Sequence, residues 1–138
     1  MNNLGKIYTG SFASISTIKR IGLVPIAIST GIPSFYKGGL RYKKLQPSIE
    51  LTHLLRPCQK NNSIDTSLIQ DYAHDYIRDV LSLLNPDEVY AELKEMANGK
   101  DFCILSQEHS DEFSHRMVVS TWFRRFGYEV EEIVKYNK

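Results

Sequence analysis

Apolar positions fall in short blocks along the 138 residues, and their spacing shifts between the period of a strand and that of a helix. Lys6-Ile7-Tyr8-Thr9 is a β-prone run that ends in Gly10-Ser11. Ser14 to Arg20 predicts a short helix that Gly22 can close. Leu23 to Ser29 then predicts a buried strand, with Pro25 arguing against a fully paired central position. From Thr30 to about Asn62, prolines and glycines predict a long irregular segment, with one helical turn around Ser48 to Leu55. Leu68, Ile69, Tyr72, Tyr76, Ile77, Val80, Leu81 and Leu84 recur every three or four residues, which predicts an amphipathic helix capped by Asp65. Asn85-Pro86-Asp87-Glu88 starts the next helix: a cap, a proline in the first position, and two acids that the helix dipole favours. Val89, Leu93 and Met96 form its apolar stripe, and Gly99 ends it.

Phe102-Cys103-Ile104-Leu105-Ser106 has no alternation at all, the pattern of a strand buried on both faces of a parallel sheet. A helix over about 114–126 and an alternating edge strand from Tyr128 to Val134 follow it. Strand, helix and strand in some thirty residues make a right-handed crossover unit. The expected fold is α/β: one domain over residues 1–138, with a small, mostly parallel sheet flanked by helices.

Composition narrows the function classes. The longest near-apolar run, Ile21 to Ile28, is broken by Pro25 and is far short of the roughly 20 residues of a membrane-spanning helix. The amino-terminal residues lack the apolar centre of a signal peptide, so a cytoplasmic protein with no membrane partner is expected. Cys58 and Cys103 are expected to be free thiols. His53, His74, His109 and His115 show no zinc-like spacing, so no metal is expected. Net charge is only +1, but residues 1–60 carry nine Lys or Arg against the single acid Glu50, and residues 61–138 carry eight against fifteen acids. Such a division fits either two halves that neutralise each other or a basic half that builds an anion-binding wall.

Two constellations carry candidate chemistry. Ser106-Gln107-Glu108-His109-Ser110-Asp111-Glu112-Phe113-Ser114-His115-Arg116 lies just past the carboxyl end of a predicted parallel strand, where ligands bind in open α/β sheets. Arg116 falls in the first helical turn, where backbone N–H groups already favour an anion. The bland alternative pairs it with Asp111, Glu112 or Glu108. The second constellation is Phe35-Tyr36-Lys37-Gly38-Gly39-Leu40-Arg41-Tyr42-Lys43-Lys44, with four cations, three aromatics and no acid. Rings stack on bases and cations hold phosphates, so this loop could overhang the same sheet edge and clamp a nucleotide. No Walker lysine motif and no Gly-x-Gly-x-x-Gly is present, and no cofactor is expected. Glu129, Glu131 and Glu132 read as the solvated face of the edge strand, and Trp122 and Phe123 as core.

Phe102 to Glu108, followed by Phe113-Ser114-His115-Arg116 and then Val118, Val119, Trp122 and Phe123, resembles the domain-of-unknown-function 488 family of small α/β proteins. Ile7-Tyr8-Thr9-Gly10-Ser11, and Ile28-Ser29 with Pro33, extend the resemblance over nearly the whole chain. Two positions depart from it: Ser106 stands where a Cys is common, and Ser114 replaces the Cys of Cys-His-Arg. The resemblance therefore implies a fold and a pocket and supplies no reaction. The expected ligand-binding set is Thr9, Ser11, Ser29, Tyr36, Lys37, Arg41, Tyr42, Glu108 and Arg116. Three functions stand at this point. One is a protein that binds, and could sequester, a phosphorylated small molecule of nucleotide type. In it Glu108 would bond a ribose diol, Arg116 the phosphate, and Tyr36 or Tyr42 the base. Another is an enzyme with Glu108 and His115 as acid and base and Ser114 as nucleophile. The third is a nucleic-acid module using residues 35–44, which a near-neutral net charge disfavours.

Overall fold

The computed structural model describes residues 5–29, 31–36, 38–47, 66–107 and 114–134. Five parallel strands form one sheet: β1 (Lys6–Ser11), β2 (Val24–Ala27), β3 (Leu40–Arg41), β4 (Phe102–Ser106) and β5 (Glu129–Ile133). Their order across the sheet is β3-β2-β4-β1-β5. Among the described residues four α-helices accompany them: α1 (Ile15–Arg20), α2 (Thr66–Asp79), α3 (Pro86–Met96) and α4 (His115–Arg125). Among the described residues no helix is long and apolar enough to cross a membrane.

Strand periodicity divides the apolar side chains between two layers. Ile7, Ile26, Phe102, Ile104 and Val130 pack with α2, α3 and α4 on one face. Ala27, Cys103, Leu105 and Ile133 pack with Phe12, Ile18 and Leu23 around α1 on the other. All five residues of β4 are buried, as a strand covered on both faces requires. Cys103 is a free, buried thiol, and burial pushes its ionisation well up, so it is chemically quiet.

The ends of α3 follow the sequence closely. The Asn85 side chain accepts from the amides of Asp87 at 2.9 Å and Glu88 at 3.2 Å, with Pro86 opening the helix behind it. Gly99, at φ +81°, takes the left-handed conformation that ends α3. Pro25 stands where the sequence expects it, at a position that is not paired on both sides. β2 is an interior strand, paired to β4 from Val24 to Ala27, but β3 pairs only with Ile26 and Ala27. Pro25 thus has no β3 partner, and its missing N–H leaves no gap in that ladder.

The two oppositely charged halves meet. Lys6 of β1 bridges Glu129 at 3.2 Å and Glu131 at 2.8 Å in β5, and Lys44 binds Glu92 of α3 at 2.9 Å. Glu92 also accepts from the Tyr42 hydroxyl, which together with Lys44 holds its carboxyl below the usual carboxylate range. A lowered carboxyl stabilises the fold above its unfolded-state pKa of about 4.3, and that contribution is lost as pH falls through the folded-state value. Glu92→Gln is therefore expected to destabilise more at pH 7 than at pH 3. Urea melts of both proteins across that range provide the check, and equal losses at the two ends would remove Glu92 from the acid response.

Candidate functional site

The chain leaves β1 through α1 to reach β2 on the far side of β4, and leaves β4 through α4 to reach β5 on the far side of β1. The connections part between β1 and β4, which makes their carboxyl ends the switch point of the sheet. Ser11 and Ser106 are register partners there, both buried. The amino end of α4 stands over the same edge, with Ser114 in extended backbone at φ −154°, ψ 165° as its cap residue.

Ser114 is 1% exposed, makes no capping hydrogen bond, and its hydroxyl has no partner among the described residues. A buried hydroxyl without a partner costs about 1–3 kcal/mol, so in native proteins it calls for an occupant or a role. Arg116 does not behave as expected. The sequence places it in the first helical turn as a cation for a bound anion, but it is 1% exposed and the largest fully buried side chain among the described residues. Its Nε donates to Glu132 Oε1 at 3.2 Å and its Nη2 to Glu132 Oε2 at 2.8 Å, while Nη1 donates to Ser106 Oγ. The Thr9 hydroxyl donates to the same Glu132 Oε1 at 2.6 Å. A polar ladder of Ser106, Thr9 and Glu132 therefore crosses β4, β1 and β5 beneath one guanidinium. Glu132 is thereby corrected too: it belongs to the ladder, with a side chain only 29% exposed, and not to a solvated face.

His115 is buried beside the Tyr76 ring at 5.6 Å, and its Nε2 lies 3.0 Å from the Ile28 carbonyl. A carbonyl can only accept, so Nε2 carries the proton and spends it on the backbone after β2. Ser29 is also turned to the backbone, donating to the Gly31 carbonyl at 2.7 Å. Ser29, Ser11, Ser106 and Ser114 thus gather at carboxyl strand ends and the α4 cap. Thr9 lies one layer deeper, and Glu108 and Lys37 lie outside the described residues.

The basic run is not a free loop. Residues 40 and 41 form β3, the Tyr42 amide donates to the Ala27 carbonyl at 2.8 Å, and residues 43–45 make a 3-10 turn. Tyr36 and Tyr42 are buried at 4% and 5% exposure, which leaves neither ring open to stack on a base. Their hydroxyls explain why. Tyr36 lies 2.6 Å from the Leu40 carbonyl and 3.0 Å from that of Pro25, clasping the turn to β2 and β3, and burial pushes its phenol up to about 12. Tyr42 is held by Glu92. Arg41 is half-buried in β3.

Among the described residues no group of three His, Cys, Asp or Glu is placed to hold a metal ion. A groove of about 630 Å³ lies at the opposite, amino end of the strands, lined by Leu23, Asp101, Tyr8 and Glu131 among others, and none of the expected site residues borders it. Sequence reading missed Glu132, although the alternation of its strand carried the signal: Val130 is buried, and Glu132 shares its face. No family model matches this chain, and neither a curated protein nor a solved structure does so.

Proposed function

We propose that the chain binds a phosphorylated small molecule of nucleotide type at the carboxyl edge between β1 and β4, in a pocket of the kind the domain-of-unknown-function 488 resemblance implies. One observation carries this reading: the buried Ser114 hydroxyl, unpartnered among the described residues, at the mouth of an 11-residue helix over the switch point. The first amides of such a helix have no partners within it and, with the helix dipole, favour an anion. Ser114 and Ser11 supply hydroxyls that can donate to phosphate oxygens, and Ser106, already accepting from Arg116, has its own proton left to give. Arg116 acts from beneath, as the group that fixes Ser106, and not as a fork on the phosphate.

Ser114→Ala separates binding from folding. The hydroxyl makes no bond that the free protein would lose, so its removal should leave stability unchanged or raise it by up to about 1 kcal/mol. A hydrogen bond to a charged phosphate contributes about 1.5–3 kcal/mol, so affinity should fall about tenfold to a hundredfold. Calorimetric titration with a nucleotide panel, paired with denaturant melts, reads both quantities. Ligand recovered intact after incubation supports binding or sequestration over turnover. A destabilised Ser114→Ala protein with unchanged affinity would make Ser114 a structural cap.

A further inference from the structure

The charge inventory of this edge says which kind of phosphate fits. Arg116 is the single Lys or Arg between Asp101 and Phe123, a stretch that also holds four acids. Its guanidinium meets both oxygens of the Glu132 carboxylate, at 3.2 and 2.8 Å, and the Thr9 hydroxyl supports the same carboxylate from β1. Among the described residues, the Arg116 cation at the amino end of α4 is therefore matched before any ligand arrives. What the described residues leave to face a ligand there is hydroxyls and a helix terminus worth about half a positive charge.

Desolvating an ion costs roughly in proportion to the square of its charge, so a dianion loses about four times what a monoanion loses on entering the same site. A half-charge and neutral donors can offset the smaller cost and not the larger. On the reading that this edge binds a phosphorylated nucleotide-type ligand, we propose that the ligand presents a singly charged phosphodiester, cyclic or internucleotide, and not a terminal monoester. Glu132 of β5 is then the specificity-determining residue, because it takes up the Arg116 charge that a dianion would need.

Titrations at pH 8, where a monoester is doubly ionised, compare cyclic AMP and cyclic GMP with the 5′-monophosphates. Dimethyl phosphate and methyl phosphate serve as base-free probes, followed through the His115 and Arg116 amide resonances. The diester of each pair is expected to bind about tenfold more tightly or better, one unmatched charge in a partly buried site being worth at least that. At pH 5 the monoester carries one charge, its second pKa being about 6, and the gap should close. His115 and Glu132 face the same edge, and any change in their charge would move the diester too, so the ratio within each pair isolates the ligand's charge. That series needs no variant. In Glu132→Gln the Arg116 charge is released, and monoester affinity at pH 8 should rise at least about fivefold relative to the diester. A merely structural role would weaken both ligands alike.

A monoester that binds more tightly than its diester to the unaltered protein at pH 8, or a Glu132→Gln protein that loses both in proportion, overturns the assignment while leaving phosphate binding in place. If no phosphate probe moves the α4 amides, the binding reading itself falls, and this inference with it.

Discussion

Arg116→Ala should lower the unfolding free energy by about 3 kcal/mol, a fall of roughly 10 °C in Tm for a chain of this size. Truncation removes the hydrogen bonds of Arg116 to Glu132 and Ser106 and takes the guanidinium from the Glu132 carboxylate beneath α4, while the Thr9 hydroxyl still donates to it. Losing one member of a buried ion pair costs about 3–5 kcal/mol, and the partial exposure of Glu132, 29% of its side chain, lets water recover some of that. The lower end of the range is therefore expected. Apolar replacement of both members tells cost from charge. Arg116→Met with Glu132→Leu should be more stable than either single replacement, since neither charge is then left buried alone. Denaturant melts of the four proteins complete the cycle. A loss under 1 kcal/mol for Arg116→Ala would return Arg116 to the first-turn, anion-binding role that sequence alone suggested.

That suggestion failed for a legible reason. The charge of Arg116 and its place near a helix start point to an anion, whereas the helical stripe it belongs to points to the core. Arg116, Val119, Ser120 and Phe123 stand three, four and seven residues apart, and all are buried. A cation on the apolar stripe of a helix needs a buried acid, and the only inward-facing acid of β5 is Glu132, two residues from Val130. The pair could have been found by applying the two periods together. Elements with unambiguous chemistry were readable outright. Continuous apolar residues gave β4, the Asn85-Pro86 cap gave α3, and the alternation from Tyr128 to Glu131 gave β5 at the sheet edge.

Other features were beyond pattern. α2 ends at Asp79 and is followed by a 3-10 turn over Leu81–Leu83, yet Tyr76, Val80, Leu81 and Leu84 keep a helical spacing throughout. Turns of three and of 3.6 residues bring nearly the same positions to one face, so apolar spacing cannot locate the break. β3 is two residues long, shorter than any alternation can declare, and it was hidden inside a run whose charges drew attention to a ligand. Its place was set by Tyr36, whose ring and hydroxyl act at a distance in sequence that periodicity does not sample. Whether a tyrosine faces a ligand or the core depends on the acceptors near its hydroxyl, here the Pro25 and Leu40 carbonyls.

Gly39→Ala should cost about 3 kcal/mol and loosen the β3 edge. A methyl group at Gly39 would come within 2.6 Å of two carbons of the Tyr36 ring. That ring is 4% exposed, meets Phe12 edge-on at 5.0 Å between centroids, and is tied by its hydroxyl to β2 and β3. It cannot swing aside without giving up the clasp, so overpacking of about 1–3 kcal/mol adds to a lost hydrogen bond of about 1 kcal/mol. Gly38→Ala is the internal control: the added methyl meets open space, and the cost is only the left-handed backbone at φ +88°, about 1 kcal/mol. The Tyr42 amide, bonded to Ala27 at 2.8 Å, should exchange faster in Gly39→Ala than in Gly38→Ala. A mobile basic lid requires the opposite sign at Gly39, because alanine in a flexible glycine hinge only narrows the unfolded ensemble and stabilises slightly. Melts in which Gly39→Ala equals or exceeds the unaltered protein would restore the lid and overturn the edge strand.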